Sequence, residues 1–274
     1  MERNITIKSA NVALSAVIHY PEAWNGEEQQ RRFPLIVICH GFVGNRIGTN
    51  RLFVKAARYF SKQGFMVLRF DYAGCGESEG DYGSSGFDAL IHQTRHVLDY
   101  ALDIEGLSHE RVIVLGHSLG GAVALATAAI DKRIKTLVLW APVAHPFSDI
   151  IRITGKEVYE QAVIEGSADY LGYSFTSSFF ESLSEHQPLR EVKHISGDIL
   201  LVHGTSDDVV PVDYSFLYQK LFWTRHDGQC DKEIIFQGDH TFSSGLSTTI
   251  AFDTTAHWLD NLEKRKRDWN GWMI

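Results

Sequence analysis

The chain has 274 residues, 44% hydrophobic and 22% charged, ordinary globular usage that suffices for one large α/β domain. A formal net charge of −8 excludes a dedicated nucleic-acid binder, whose phosphate contacts need a basic face. The scattered Cys39, Cys75 and Cys230 form neither a disulfide framework nor a zinc pattern. No apolar run has the length of a membrane span and the N-terminus lacks a secretory signal, so a soluble, cytoplasmic protein is expected.

In chain order, Asn4–Lys8 and Val12–Tyr20 read as an opening pair of strands. Pro34–Cys39 is an almost unbroken apolar run, as a strand covered on both faces requires. Phe65–Phe70, Arg111–Leu115, Thr136–Trp140, Ile199–Val202 and Glu233–Phe236 repeat that pattern. Helices are expected between them at Arg51–Gln63, Phe87–Leu102, Leu119–Ile130, Tyr214–Thr224 and Thr249–Lys264. The alternation predicts a mostly parallel sheet with helices on both faces. No repeat or low-complexity linker divides the chain, so residues 1–274 read as a single domain. Residues 142–197 break the rhythm and are rich in aromatics such as Tyr159, Tyr170, Tyr173, Phe175, Phe179 and Phe180. A structureless loop of that length is uncommon in a compact domain, so an insertion with short helices or a hairpin is expected there. Its position suggests a cap over the site described next. The basic run Lys264–Arg267 reads as a solvated helix end. The apolar Trp269–Ile274 reads either as packing on its own domain or as a contact in a homodimer.

Gly116-His117-Ser118-Leu119-Gly120 fits the G-x-S-x-G turn that lifts a serine off the end of a strand. The pentapeptide is common by chance; its place between an apolar strand and an Ala-rich helix gives it weight. A serine hydroxyl needs a base to take its proton, and thirteen histidines are available. His240 stands in a glycine-bearing loop after the Glu233–Phe236 strand and ahead of the last helix. In an open parallel sheet such loops gather at the strand carboxyl ends, where ligands bind. His117 and His203 abut strand ends and read as structural; His92, His96 and His257 fall within helices. A carboxylate must orient the base, and the segment after Ile199–Val202 offers Asp207 and Asp208. Asp207, the earlier in the turn, is preferred, with Asp208 as the alternative. The order Ser118, Asp207, His240 is that of a Ser…Asp…His hydrolase. An oxyanion would be received by the amide of Leu119 and by one from His40-Gly41-Phe42-Val43-Gly44, of which Phe42 is favoured.

Taken together, His40-Gly41-Phe42, Arg69-Phe70-Asp71-Tyr72-Ala73-Gly74-Cys75-Gly76-Glu77-Ser78, Gly116–Gly121, His203–Asp207 and Asp239–Phe242 make the chain from Ile5 to Leu262 resemble the α/β-hydrolase superfamily. It is most similar to the small bacterial carboxylesterases that include the feruloyl (cinnamoyl) esterases. The resemblance implies an α/β-hydrolase fold, Ser118, Asp207 and His240 as the triad, Phe42 and Leu119 as oxyanion donors, and a small cap after Trp140. It also implies that Asp71–Ser78 is a structural turn, so Cys75 is no second nucleophile. The expected activity is hydrolysis of a small-molecule carboxylic ester through an acyl-enzyme, with no metal or organic cofactor. Serine at the nucleophile position disfavours a dehalogenase, an epoxide hydrolase and a dienelactone hydrolase. A peptidase, a thioesterase, an acyltransferase and a non-catalytic binding protein on the same fold are the alternatives.

Overall fold

The apolar runs assemble into one eight-stranded sheet in a computed structural model that describes residues 1–24 and 32–272. Its strands are β1 (Glu2–Ser9), β2 (Val12–His19), β3 (Phe33–Cys39), β4 (Met66–Phe70), β5 (Leu107–His117) and β6 (Thr136–Trp140). A separate hairpin, β7 (Ser167–Tyr170) and β8 (Tyr173–Thr176), precedes the last two sheet strands, β9 (Asp198–Gly204) and β10 (Cys230–Ile235). The order is β1-β2-β4-β3-β5-β6-β9-β10; the β1–β2 and β2–β4 pairings are antiparallel and every later one is parallel. Because β3 lies between β4 and β5, the chain leaves it toward opposite edges, which opens a crevice at its carboxyl end.

Period-two alternation divides the core between the two faces. Leu35, Val37 and Cys39 of β3 join Val114, Leu137, Leu139 and Leu201 under α2 (Tyr82–Leu102), α3 (Leu119–Ile130) and α8 (Asp213–Phe222). Ile36 and Ile38 join Leu115, Val138, Trp140 and Val202 beneath α1 (Leu52–Lys62) and α9 (Gly245–Trp272). Trp140 stacks on Phe252 at 5.7 Å, and its indole N–H reaches the Thr255 hydroxyl at 3.2 Å. Both faces being covered explains why the strands read as continuous apolar runs.

Between β6 and β9 the chain folds as α4 (Pro146–Thr154), α5 (Lys156–Glu165), the β7–β8 hairpin, α6 (Ser177–Glu185) and α7 (Pro188–Glu191). Several boundaries differ from the sequence expectation, among them those of β10, α2 and α9. The chain turns after β10, with Gly238 N–H closing on the Ile235 carbonyl at 3.1 Å, so Phe236 lies outside the strand and is exposed. Helix α2 begins with a turn capped by Asp81 and breaks at Gly86 (φ 69°, ψ 173°) before resuming at Phe87. Its resumed amide end is capped from α6: Ser182 Oγ accepts the Phe87 N–H at 2.8 Å. Helix α9 extends beyond the expected Thr249–Lys264 at both ends; the contact role considered for 269–274 lies outside the described side chains. Among the described residues no helix is long and apolar enough to cross a membrane.

Candidate active site

Ser118 occupies the single residue between β5 and α3, with φ 57° and ψ −124°. A non-glycine residue in that region stores strain, which the surroundings must hold. The hold is visible: Ser118 N–H donates to the Trp140 carbonyl at 2.9 Å, and its own carbonyl accepts from Gly121 and Val143 at 2.9 and 3.1 Å. The flanking positions leave no room for a side chain. A Cβ on Gly116 would stand 2.3 Å from the Gly120 carbonyl oxygen, and one on Gly120 2.3 Å from that of Cys39. Leu119 opens α3, so its amide belongs to the first turn, where helix N–H groups lack an intrahelical partner and the helix end is electropositive.

Asp207 and His240 reach the same edge from the turns after β9 and β10. His240 Nδ1 lies 2.8 Å from Asp207 Oδ2, while Oδ1 accepts the amides of Val209 and Val210 at 2.9 and 2.8 Å. Asp208 is exposed, so of the two neighbouring acids it is Asp207 that faces the imidazole. Burial raises the Asp207 carboxyl, but the hydrogen bonds from His203 and His240 outweigh it and hold the group well below the usual carboxylate range. The His240 backbone is fixed from the Ser118 side: His117 Nε2–H donates to its carbonyl at 2.8 Å, and the two rings sit 4.7 Å apart. Burial, then the nearby His240, push the His117 ring down to about 3.

The turn after β3 supplies the fourth segment. His40 Nε2 accepts the Tyr72 N–H at 3.0 Å, which leaves the ring hydrogen on Nδ1 to donate to the Gly41 carbonyl at 2.9 Å. Gly44 N–H holds the same carbonyl at 3.1 Å. In a trans peptide the Phe42 N–H points opposite to that carbonyl, so fixing one aims the other. Burial pushes His40 down to about 4. Further along the turn, buried Asp71 binds the Arg46 amide and guanidinium and the Glu77 amide, tying it to 71–78. Cys75 in that segment is fully buried, and burial pushes its thiol up to about 12, which keeps it protonated.

These segments enclose a cavity of about 250 Å³ whose lining includes Phe42, Ser118, Ile153, Val209, His240 and Thr241 and, among the described residues, no Asp, Glu, Lys or Arg. All five site residues named from the sequence therefore meet at the carboxyl edge: Ser118, His240 and Phe42 line the cavity, Leu119 follows Ser118, and Asp207 backs His240. The 142–197 segment contributes Ile153 to the lining. Its aromatics do something else: Phe175, Phe179 and Phe180 are fully buried, and Phe42 packs among Tyr170, Phe175 and Phe179 at 6.0, 5.3 and 6.1 Å. Two contacts had no sequence signal. Arg152 of α4 donates to the Val209 carbonyl at 2.7 Å, and His203, read as structural, lies against Asp207. Among the described residues no group of three or more His, Cys, Asp or Glu side chains could hold a metal ion.

A family model described as the alpha/beta hydrolase fold matches residues 34–162. With the sheet order, the chain has the α/β-hydrolase fold, and over those residues it resembles that family. An uncharacterized 31.7 kDa protein of the traX-finO intergenic region of Escherichia coli is 34% identical over 125 residues, 46% of this chain and 42% of that protein. Lysophosphatidylserine lipase ABHD12 of Xenopus tropicalis is 30% identical over 203 residues, 69% of this chain and 46% of that protein. The chain thus spans less than half the length of these curated relatives. The ferulic acid-bound structure of Est1E from Butyrivibrio proteoclasticus superposes with a TM-score of 0.77 at 22% identity, covering 92% of this chain and 98% of that one.

Proposed function

We propose that this protein is a serine carboxylesterase working through an acyl-enzyme, with Ser118 as nucleophile, His240 as base and Asp207 as its orienting acid. The observation that carries this reading is the 2.8 Å Asp207–His240 hydrogen bond, behind a cavity that His240 shares with the strained Ser118. Bonded through Nδ1, His240 has Nε2 left for the serine proton. Ser118 Oγ attacks the ester carbonyl carbon as Nε2 takes its proton, and the amides of Phe42 and Leu119 receive the oxyanion. Collapse breaks the bond to the alcohol, which leaves with the proton from His240. Water then gives a proton to His240 and attacks the acyl carbon; the second collapse frees the acid and returns the proton to Ser118.

The cavity's size and lining support a short, uncharged ester. At about 250 Å³ it falls below the usual ligand-pocket range of about 300–1,000 Å³. No cationic side chain lines it to meet a carboxylate or phosphate. Within a single domain of residues 1–274, the 142–197 insertion serves as a cap, closing the cavity with Ile153 and buttressing Phe42 with its buried aromatics.

The test compares wild type with Ser118→Ala on p-nitrophenyl acetate, butyrate and octanoate, methyl ferulate, lysophosphatidylserine and an acyl-CoA. Methyl ferulate and the lysophospholipid follow from what Est1E binds and what ABHD12 is named for. Hydrolysis of the short esters is expected in wild type, with a loss of about 10⁴-fold or more in the variant. Wild type that turns over none of the esters sinks the proposal, and preference for the thioester moves it to that class.

A further inference from the structure

The acid of this site is held by two histidines. The ring of His203, the penultimate residue of β9, is fully buried, with Nε2 3.1 Å from Asp207 Oδ2 and 3.0 Å from the Val210 carbonyl. Its Nδ1 lies 2.8 Å from the buried hydroxyl of Ser215 in α8. A carbonyl oxygen can only accept, so the ring hydrogen must be on Nε2, shared between Val210 and Asp207, while the Ser215 hydroxyl donates to Nδ1. Asp207 therefore receives four N–H donors, from Val209 and Val210 on Oδ1 and from His203 and His240 on Oδ2. The result is a continuous chain, Ser215–His203–Asp207–His240, that extends the three-residue site into α8.

We propose that His203 is a positioning residue for the hydrolytic reaction, and that it sets both the rotation of the Asp207 carboxylate and the charge this carboxylate offers to His240. The inference rests on the serine-hydrolase reading above. The Val209 and Val210 amides hold Oδ1, and the His203 N–H adds a hold on Oδ2 that narrows the rotation left about the Cβ–Cγ bond, which would otherwise carry the base with it. Donation from His203 leaves one direction on Oδ2 for His240. It also draws charge from that oxygen, which tempers how strongly Asp207 stabilises the imidazolium formed when Ser118 is deprotonated. The same bond helps keep the acid ionised, in line with the lowering of its carboxyl. Among the described residues, Asp207 stands against the His203 ring, with His240 and the Asp239 charge acting on Asp207 and His117 near His203.

Three variants test this. His203→Leu fills the space without a donor. His203→Gln keeps an N–H near the place of Nε2 and an oxygen for Ser215. Ser215→Ala removes only the far support of the ring and is the variant least able to disturb folding. Rates on p-nitrophenyl acetate are normalised to the sites titrated by a fluorophosphonate, so that misfolded molecules do not count. His203→Leu is expected to lower kcat about 10- to 100-fold with KM within about twofold. Its acid limb should move to higher pH, because a less-shared carboxylate makes His240 more basic. His203→Gln should restore most of kcat, and Ser215→Ala should shift the limb the same way with a loss of a few fold. A parallel readout needs no turnover: the downfield proton NMR signal of His240 Nδ1–H should move in His203→Leu and return in His203→Gln. Unchanged rates per titrated site, an unmoved acid limb and an unmoved Nδ1–H signal in His203→Leu and Ser215→Ala would overturn the proposal. If wild type hydrolyses no ester, the hydrolase reading fails by itself, and the NMR comparison still decides the role of His203.

Discussion

Two cavities open on opposite edges of the same sheet, and the larger lies away from Ser118. The amino-edge cavity, about 440 Å³, is lined by Pro34, Ile113 and Thr136 near the strand starts and by Glu110, Arg111, Asp260 and Glu263. The carboxyl-edge cavity is about 250 Å³ and holds Ser118, His117 and His240 with backbone from the turn after β3. Volume does not separate them; chain direction does. Parallel strands deliver their carboxyl ends, and the amino ends of the helices that follow, to one edge only. There four turns bring a hydroxyl, two imidazoles and the backbone of the turn after β3 around about 250 Å³. At the opposite edge partly exposed charged side chains meet where water screens them, which favours ion pairs of little energy.

The largest effect that sharpens this contrast falls on the acid turn. Asp207→Asn keeps the shape but lets His240 take the wrong tautomer, so kcat is expected to fall about 10⁴-fold with the fold retained. Asp208→Asn, one residue on and exposed, should leave the rate unchanged and the stability within about 0.5 kcal/mol. Steady-state kinetics and urea unfolding on the two variants provide the check. Equal losses would mean that the geometry of the turn, rather than the Asp207 carboxylate, carries the effect.

The sequence made some of this legible and hid the rest for physical reasons. Strands buried on both faces announce themselves as Pro34–Cys39 does, and the strained turn at Ser118 demands residue types that can be recognised. The insertion was legible only as a break in rhythm. Its helices run four to ten residues, too short for a clear period, and Phe175 and Phe179 pack on Phe42, more than a hundred positions away. The part played by His203 was hidden differently. A histidine at a strand end reads as core packing, and only the turn geometry that folds residue 207 back over residue 203 brings the carboxylate to its ring. Likewise, nothing in the Arg152 side chain foretells that it reaches the Val209 carbonyl.

Histidines buried as neutral rings, at the site and away from it, govern stability in acid. His19 and His40 are buried and pushed down to about 4, in both cases chiefly by burial, with the Arg69 charge adding at His19. Their unfolded forms titrate near 6.5. Between that value and about 4 the unfolded chain binds more protons than the folded one, so stability is full above pH 6.5 and drains as pH falls. Each such ring contributes a slope of about 1.4 kcal/mol per pH unit within the window. His19→Gln, which keeps an acceptor for the Arg69 guanidinium, should make unfolding free energy against pH shallower by about that amount between pH 6 and 5. Urea titrations at a series of pH values would measure it, and an unchanged slope would mean that His19 is not buried as a neutral ring.

The smallest effect is expected at the amino edge, and its smallness is the point. Arg111 and Glu263 stand 3.7 Å apart beside the larger cavity, each side chain about one-third exposed (34% and 35%). Water screens such a pair and ordering two long side chains offsets its attraction, so Arg111→Met should cost less than about 1 kcal/mol. Because β5 runs from this residue toward Ser118 at its far end, a loss of kcat would mean that strain passes along the strand into the Ser118 turn. The backbone argues against that: between the two, Val112–Gly116 pair in register with β3 and Ile113–His117 with β6. Only displacement of the whole strand could carry a change at Arg111 to Ser118, and a surface ion pair lacks the energy to displace it. The rate per titrated site should therefore match wild type even where the unfolding midpoint moves. A tenfold fall in kcat/KM would break the contrast between the two edges and make the larger cavity part of the working site.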